Sequence, residues 1–413
     1  MMLDRESEIS NLLKFAVNSR HKFGFAWLDD EGRIDTKKHL ELWITARMTH
    51  CFALGSMLHK LLPESECAQY RELAIHGISC LCNYFHDVDY GGYFSAISST
   101  TGAASGRGER KEAYSHAFVI LAASSAVIAG VNEAEILLED ALQVSTERWW
   151  DKQSCMVKES YTRDFTECEP YRGLNAAMHT VEAYLAAFDA LEKLEYLNRA
   201  KHMVEHVVGE MASASDWRLC EHFSISYEPL YDFNKDKPGD AFRPYGATPG
   251  HSFEWGRLAL QTVVTCRNLG IEISESVLGN ALRLIDAGKR DGWCRDGAPG
   301  YVYTVDFDGT PVNHSRMYWV ACEAVVAACV AQKLDTVNHL KWEHLEREAM
   351  NFLETYCRDQ PGRYVHELDE SNKPAFSTWS GKPDIYHTLQ AMLIDKLPAS
   401  PTFALAVRGI FER

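Results

Sequence analysis

Predicted helices in this 413-residue chain begin near Trp43, His116, His179, His251, Trp319 and His387, at intervals of 63 to 73 residues. A period of that length holds two helices and two links, and a chain repeating it six times has few architectures open to it. Apolar residues at i, i+3, i+4 and i+7 predict helices over roughly 4–20, 39–60, 66–85, 112–130, 134–150, 173–193, 196–212, 250–269, 274–289, 316–333, 338–357, 381–396 and 400–412. The links alternate in character. One is short, such as Ala129–Asn132; the next is long and rich in Gly, aromatic and Asp residues, as in 89–94, 300–309 and 362–369. Apolar alternation closed by an Asp/Gly turn predicts small β-hairpins in these long links. The expected fold is all-α, an (α/α)6 barrel with short β-hairpins in the long loops, and residues 1–413 are expected to form a single catalytic domain.

Composition narrows the function. Asp and Glu outnumber Lys and Arg by 58 to 42, a net charge of −16 that repels phosphate backbones, so no nucleic-acid partner is expected. No segment has the ~18 uncharged apolar residues of a membrane span. The charged stretch Met1–Glu6 lacks a signal-peptide apolar run, which predicts a cytoplasmic protein. The 12 cysteines are scattered without a C-x-x-C pair and read as reduced core residues. Ten Trp, 18 Tyr and 18 Phe are mostly core filler, and aromatic-rich pockets also stack against sugars or other flat ligands. Phosphate-cradling glycine loops and the G-x-S-x-G elbow are missing, which removes the simplest nucleotide and hydrolase readings.

What remains is histidine. His116, His179, His251 and His387 all fall near the starts of helices that follow long links. None of the four sits in an H-x-x-x-H spacing, so a metal centre is disfavoured, and acid/base chemistry on a bound substrate is the better reading. The partial positive charge at a helix N-terminus disfavours imidazolium and keeps such a base neutral. Polar residues surround them in apolar sequence. Arg47 lies four residues after Trp43, Asn175 four before His179, Glu254 three after His251 and Asp384 three before His387, while Arg243 precedes Tyr245–His251. Asp384 reads either as a helix cap or as a carboxylate that orients His387. His116 is expected to be structural.

The segments 39–48, 171–183, 248–257 and 384–387 resemble, in that order, the N-acylglucosamine 2-epimerase superfamily, more closely its aldose–ketose isomerase branch, over roughly residues 20–400. The resemblance implies an (α/α)6 barrel, no cofactor and no metal, and two catalytic histidines matching His251 and His387. By the same likeness His387 shuttles a proton between C2 and C1 while His251 assists ring opening and proton transfer at oxygen. Trp43, Arg47, Tyr114, Asn175, His179, Arg243, Glu254, Trp319 and Asp384 would then line the pocket of a free monosaccharide. Sulfonated-sugar isomerases are expected to carry glutamine where this chain has His366 and Pro383. Proline offers no donor, so the expected reaction is D-mannose to D-fructose, with D-lyxose to D-xylulose beside it, ahead of sulfoquinovose isomerisation or sugar 2-epimerisation of the N-acylglucosamine or cellobiose type. A glycoside hydrolase would need two opposed carboxylates where these helices carry histidine.

Overall fold

The computed structural model describes residues 3–412. Among them the predicted helices are all present, with ends shifted by a few residues. Those that are buried nearly all round are Leu42–Gly55, Ala113–Ile128, Leu174–Leu191, Pro249–Asn268, Tyr318–Leu334 and Tyr386–Leu393. Each is followed by a helix with one buried and one exposed face: Glu64–Cys80, Ala134–Val144, Leu194–Val204, Ser276–Gly292, His339–Phe352 and Phe403–Phe411. The division follows sequence. Ala113–Ile128 and Tyr318–Leu334 are runs of Ala, Val, Ile and Cys with almost no charge, whereas Ser276–Gly292 confines its apolar residues to one stripe. Four of the half-exposed helices end in a π-helical turn, Leu81–Phe85, Ser145–Trp149, Glu205–Met211 and Leu353–Cys357, a repeat feature that the apolar periodicity cannot reveal.

The chain separates into two compact units. One comprises residues 1–9, 201–380 and 387–401; the other comprises 10–200, 381–386 and 402–413. Within each, the long links form two-stranded antiparallel ladders of two or three residues. The predicted hairpins occur: His86 bridges Tyr93, Thr304–Val305 pairs with Pro311–Asn313, and Arg358–Gln360 pairs with Arg363–Tyr364. Other ladders were not anticipated, because they join the strand before one buried helix to the link of the next repeat. Leu40–Glu41 pairs with Ala96–Ile97, Arg110–Glu112 with Ser160–Thr162, and Arg316–Met317 with Glu367–Leu368. They pin helix starts directly, since the first amides of three buried helices donate across them: Leu42 to Ser95, Ala113 to Glu159 and Tyr318 to His366. A helix whose first N–H groups are satisfied in this way needs no side-chain cap, and none of these three has one.

All 12 cysteines are free thiols, most of them buried, with Cys294 exposed. No helix among the described residues is long and apolar enough to cross a membrane.

One buried ion cluster positions the Ala113–Ile128 helix. Lys111, in the strand just before it, places its Nζ 3.0 Å from Asp87 and also donates to the Gly91 carbonyl. Arg163 clasps the same carboxylate with Nε and Nη2, both at 2.9 Å. Burial alone would raise the Asp87 carboxyl, but hydrogen bonds from Arg163 and Lys111 outweigh it and hold the group at about 2. Removing one partner of such a cluster strands the buried ammonium, so Asp87→Asn is expected to lower unfolding free energy by roughly 3–5 kcal/mol, read as a lower urea midpoint. The acid limb of the wild type follows from the same unit. Burial pushes His50 and His116 from 6.5 down to about 4, so the unfolded chain binds their protons first and stability falls as pH drops from 6.5 toward 4. Asp87 adds a further loss as pH drops below 3.8 toward 2. A thermal-shift series over that pH range should show two successive declines.

Candidate active site

The six buried helices share one register. The second residues are Trp43, Tyr114, Asn175, Gly250, Trp319 and His387; the sixth are Arg47, Phe118, His179, Glu254, Glu323 and Ala391. Positions i and i+4 share a face, so each helix presents a matched pair. The four histidines, which all fall near helix starts, therefore occupy four different places in the register. His387 is second in its helix, His251 third, His116 fourth and His179 sixth. The fourth position turns His116 onto the Ala141 carbonyl, with Nε2 at 2.8 Å.

In the first unit, His251, His387, Trp319 and Glu254 come together. The Trp319 ring lies 5.4 Å from the His251 imidazole and 5.7 Å from that of His387, inclined by 33° and 34°. Trp319 is only partly buried, as a stacking surface requires, whereas both histidines are buried. Its seat depends on Gly250, where a Cβ would stand 2.4 Å from the indole. Each imidazole also has a carboxylate at Nδ1. For His387 it is Glu323, whose Oε1 lies at 2.8 Å. That bond puts the ring proton on Nδ1 and the basic lone pair on Nε2, a tautomer assigned from the hydrogen bond. For His251 it is Glu221, with Oε1 at 3.0 Å. Glu323 is held in turn by Arg257, whose Nε lies 3.1 Å from Oε2. Arg257 also reaches Glu254 at 3.4 Å and Gln261 at 3.2 Å. Arg243 stands half-buried in the loop before this helix. Its charge bears on His222, whose imidazole is pushed below its usual value chiefly by burial, with Arg243 and His251 adding and Glu221 opposing.

In the second unit, Trp43, Arg47, Tyr114, His179 and Asp384 come together. The Arg47 guanidinium lies over Phe118 at 4.2 Å, Tyr386 at 4.7 Å and Trp43 at 5.0 Å. It donates to the Tyr114 hydroxyl at 3.1 Å and to Asp384 Oδ2 at 3.3 Å. Asp384 Oδ1 accepts from the Tyr386 amide at 2.9 Å, which is the capping reading of that residue. His179 packs on Phe118 and Tyr114, its Nδ1 3.8 Å from Glu182, and Glu182 accepts from the Tyr386 hydroxyl. Asn175 is half-buried one turn before His179. Arg, Tyr, Asn and His side chains in such a setting can bind hydroxyl groups with defined geometry.

Sequence reasoning missed Glu221, Glu323, Arg257 and Glu182. Three of these four left a signal: Glu182, Arg257 and Glu323 are charged residues inside otherwise apolar helices, where an ionic partner is obligatory. Glu221 lies in a link and left none.

The N-acylglucosamine 2-epimerase (GlcNAc 2-epimerase) family model matches residues 24–391. A D-mannose isomerase of Pseudomonas cannabina pv. alisalensis is 41% identical over 404 residues, 98% of this chain and 94% of that protein. Another from Thermobifida fusca is 38% identical over 408 residues, 98% of this chain and 96% of its own. The crystal structure of a D-mannose isomerase superposes with a TM-score of 0.85 at 27% identity, covering 95% of this chain and 96% of that one. The fold class is accordingly the (α/α)6 barrel with few short strands. These matches make the chain an enzyme of the isomerase and epimerase class. It belongs to the N-acylglucosamine 2-epimerase family.

Proposed function

We propose that this chain, residues 1–413 acting as one catalytic domain, interconverts free D-mannose and D-fructose, and D-lyxose and D-xylulose, without a metal. The observation that carries the reading is the pair of imidazoles beside the Trp319 indole, each with a buried carboxylate at Nδ1. Relatives at 38–41% identity named D-mannose isomerase support the substrate.

An aldose becomes a ketose when one proton moves from C2 to C1 and another from O2 to O1, through a cis-enediol. His387 Nε2 is the group for the carbon protons: it takes the C2 proton as base and returns it at C1 as acid. His251 serves the oxygens and, before that, ring opening, in which a proton leaves O1 and one arrives at O5 as the C1–O5 bond breaks. Glu323 stays ionised throughout and stabilises the imidazolium that His387 becomes. Trp319 offers its face to the sugar. Trp43, Arg47, Tyr114, Asn175, His179, Arg243, Glu254 and Asp384 are the groups assigned to substrate hydroxyls and to the surroundings that the enediolate requires.

The decisive measurement is NMR of D-mannose with purified protein in deuterated buffer containing EDTA. Fructose carrying deuterium at C1 is expected; glucose as first product would instead mean 2-epimerisation, and loss of turnover on EDTA treatment would sink the metal-independent route. His387→Asn is expected to lower kcat roughly 100- to 10,000-fold and to abolish deuterium entry at C1. A variant that retains wild-type exchange would remove His387 from the carbon chemistry.

A further inference from the structure

The two histidines are supported unequally. Glu323 is fully engaged, bonded to His387 through one oxygen and to Arg257 through the other. Glu221 is the opposite case. It is 4% exposed, and among the described residues neither of its carboxylate oxygens has a well-aligned hydrogen bond. The His251 Nδ1 is 3.0 Å away, close enough for a bond but turned out of line, and that nitrogen also lacks an aligned partner. Glu221 also bears on its chain neighbours Cys220 and His222, and each of them already has a backbone partner. Cys220 Sγ donates to the His222 carbonyl, and His222 Nε2 is bonded to the Pro244 carbonyl at 2.8 Å.

Leaving a buried carboxylate without a hydrogen bond is costly, and such groups concentrate where function needs them. Catalytic hydrogen bonds in ligand-free proteins are commonly misaligned and tighten when substrate arrives. The Trp319 ring flanks the His251 ring at 5.4 Å between centroids, and Glu221 lies within hydrogen-bond distance of its Nδ1.

We propose that Glu221 is a positioning residue for His251: it fixes the imidazole with its proton on Nδ1 and so reserves Nε2 for the oxygen-bound protons of the sugar. This deepens the isomerase reading and rests on it for the reaction served. The balance is simple. Ring opening sends the O1 proton to Nε2 as C1–O5 breaks and C1=O1 forms, and Nε2 then passes that proton to O5, which leaves the imidazole neutral again. In the isomerisation the O2 proton passes to Nε2 and one returns to O1. Glu221 remains a carboxylate at every stage, and its charge is matched only while the ring holds both protons.

The test uses full-length protein with Glu221→Gln and Glu221→Asp. An amide at this place can donate to Nδ1 and thereby select the wrong tautomer, while the aspartate keeps the acceptor. The expected result is a kcat roughly 10- to 100-fold lower in E221Q with KM little changed, and substantial recovery in E221D. In parallel, 15N-histidine NMR of the substrate-free protein, with the His251 signal assigned by its loss in His251→Asn, should show the Nδ1–H form in the wild type and its loss in E221Q. Wild-type kcat in E221Q would overturn the proposal, as would an Nε2–H tautomer in the unmodified protein. Equal losses in both variants accompanied by a fall in melting temperature would also overturn it, by making the residue structural. If the wild type fails to turn over mannose, the isomerase reading fails, and the tautomer measurement still decides the role of Glu221.

Discussion

Arg257 is 1% exposed, and its guanidinium is shared by Glu323, Glu254 and Gln261. A carboxylate taken fully out of water normally protonates or finds a cation, and the cost of burying it alone is several kcal/mol. Because Arg257 cannot lose its proton, Glu323 can stay charged at complete burial and still present its second oxygen to His387. The tautomer of His387, assigned from its bond to Glu323, therefore traces back to a buried arginine one residue further from the imidazole. Replacing the whole group by apolar residues of similar volume could stabilise the fold, as buried ion clusters generally allow.

Arg47 shows another way of holding the same charge. Its guanidinium is boxed by Trp43, Phe118 and Tyr386, with Tyr114 and Asp384 at its edge. Aromatic faces attract a cation without competing for its N–H groups, so such a box fixes position while leaving directional bonds to other acceptors. Asp384 does two things at once, meeting the start of a helix through one oxygen and Arg47 through the other. A carboxylate committed in that way is suited to setting the geometry around a ligand, and the task of orienting His387 falls to Glu323.

How far the sequence could be read depended on which physical rule wrote each feature. Helices were legible because buried faces impose a 3.6-residue rhythm, and their pairing because short and long links alternate. The exact register was not, since histidine drew attention to the fourth position at 116 and the sixth at 179, while the recurring pair is second and sixth. The carboxylates at the two imidazoles come from elsewhere in the chain: Glu323 from the preceding repeat and Glu221 from a link thirty residues before His251. Partners so distant leave no local pattern. Glu323 is the exception in principle, a lone acid four residues after Trp319 in a run of Ala, Val and Cys. The strands that join one repeat to the next escaped for the same reason as Glu221.

Gly250 carries a consequence for how this enzyme could diverge. The indole of Trp319 rests where a methyl group on residue 250 would have to be. The bare α-carbon at 250 thus leaves the room that the indole occupies beside His251. Any descendant with a larger side chain there would have to move the indole away from residue 250 or replace it with a smaller ring, so the two positions can change only together.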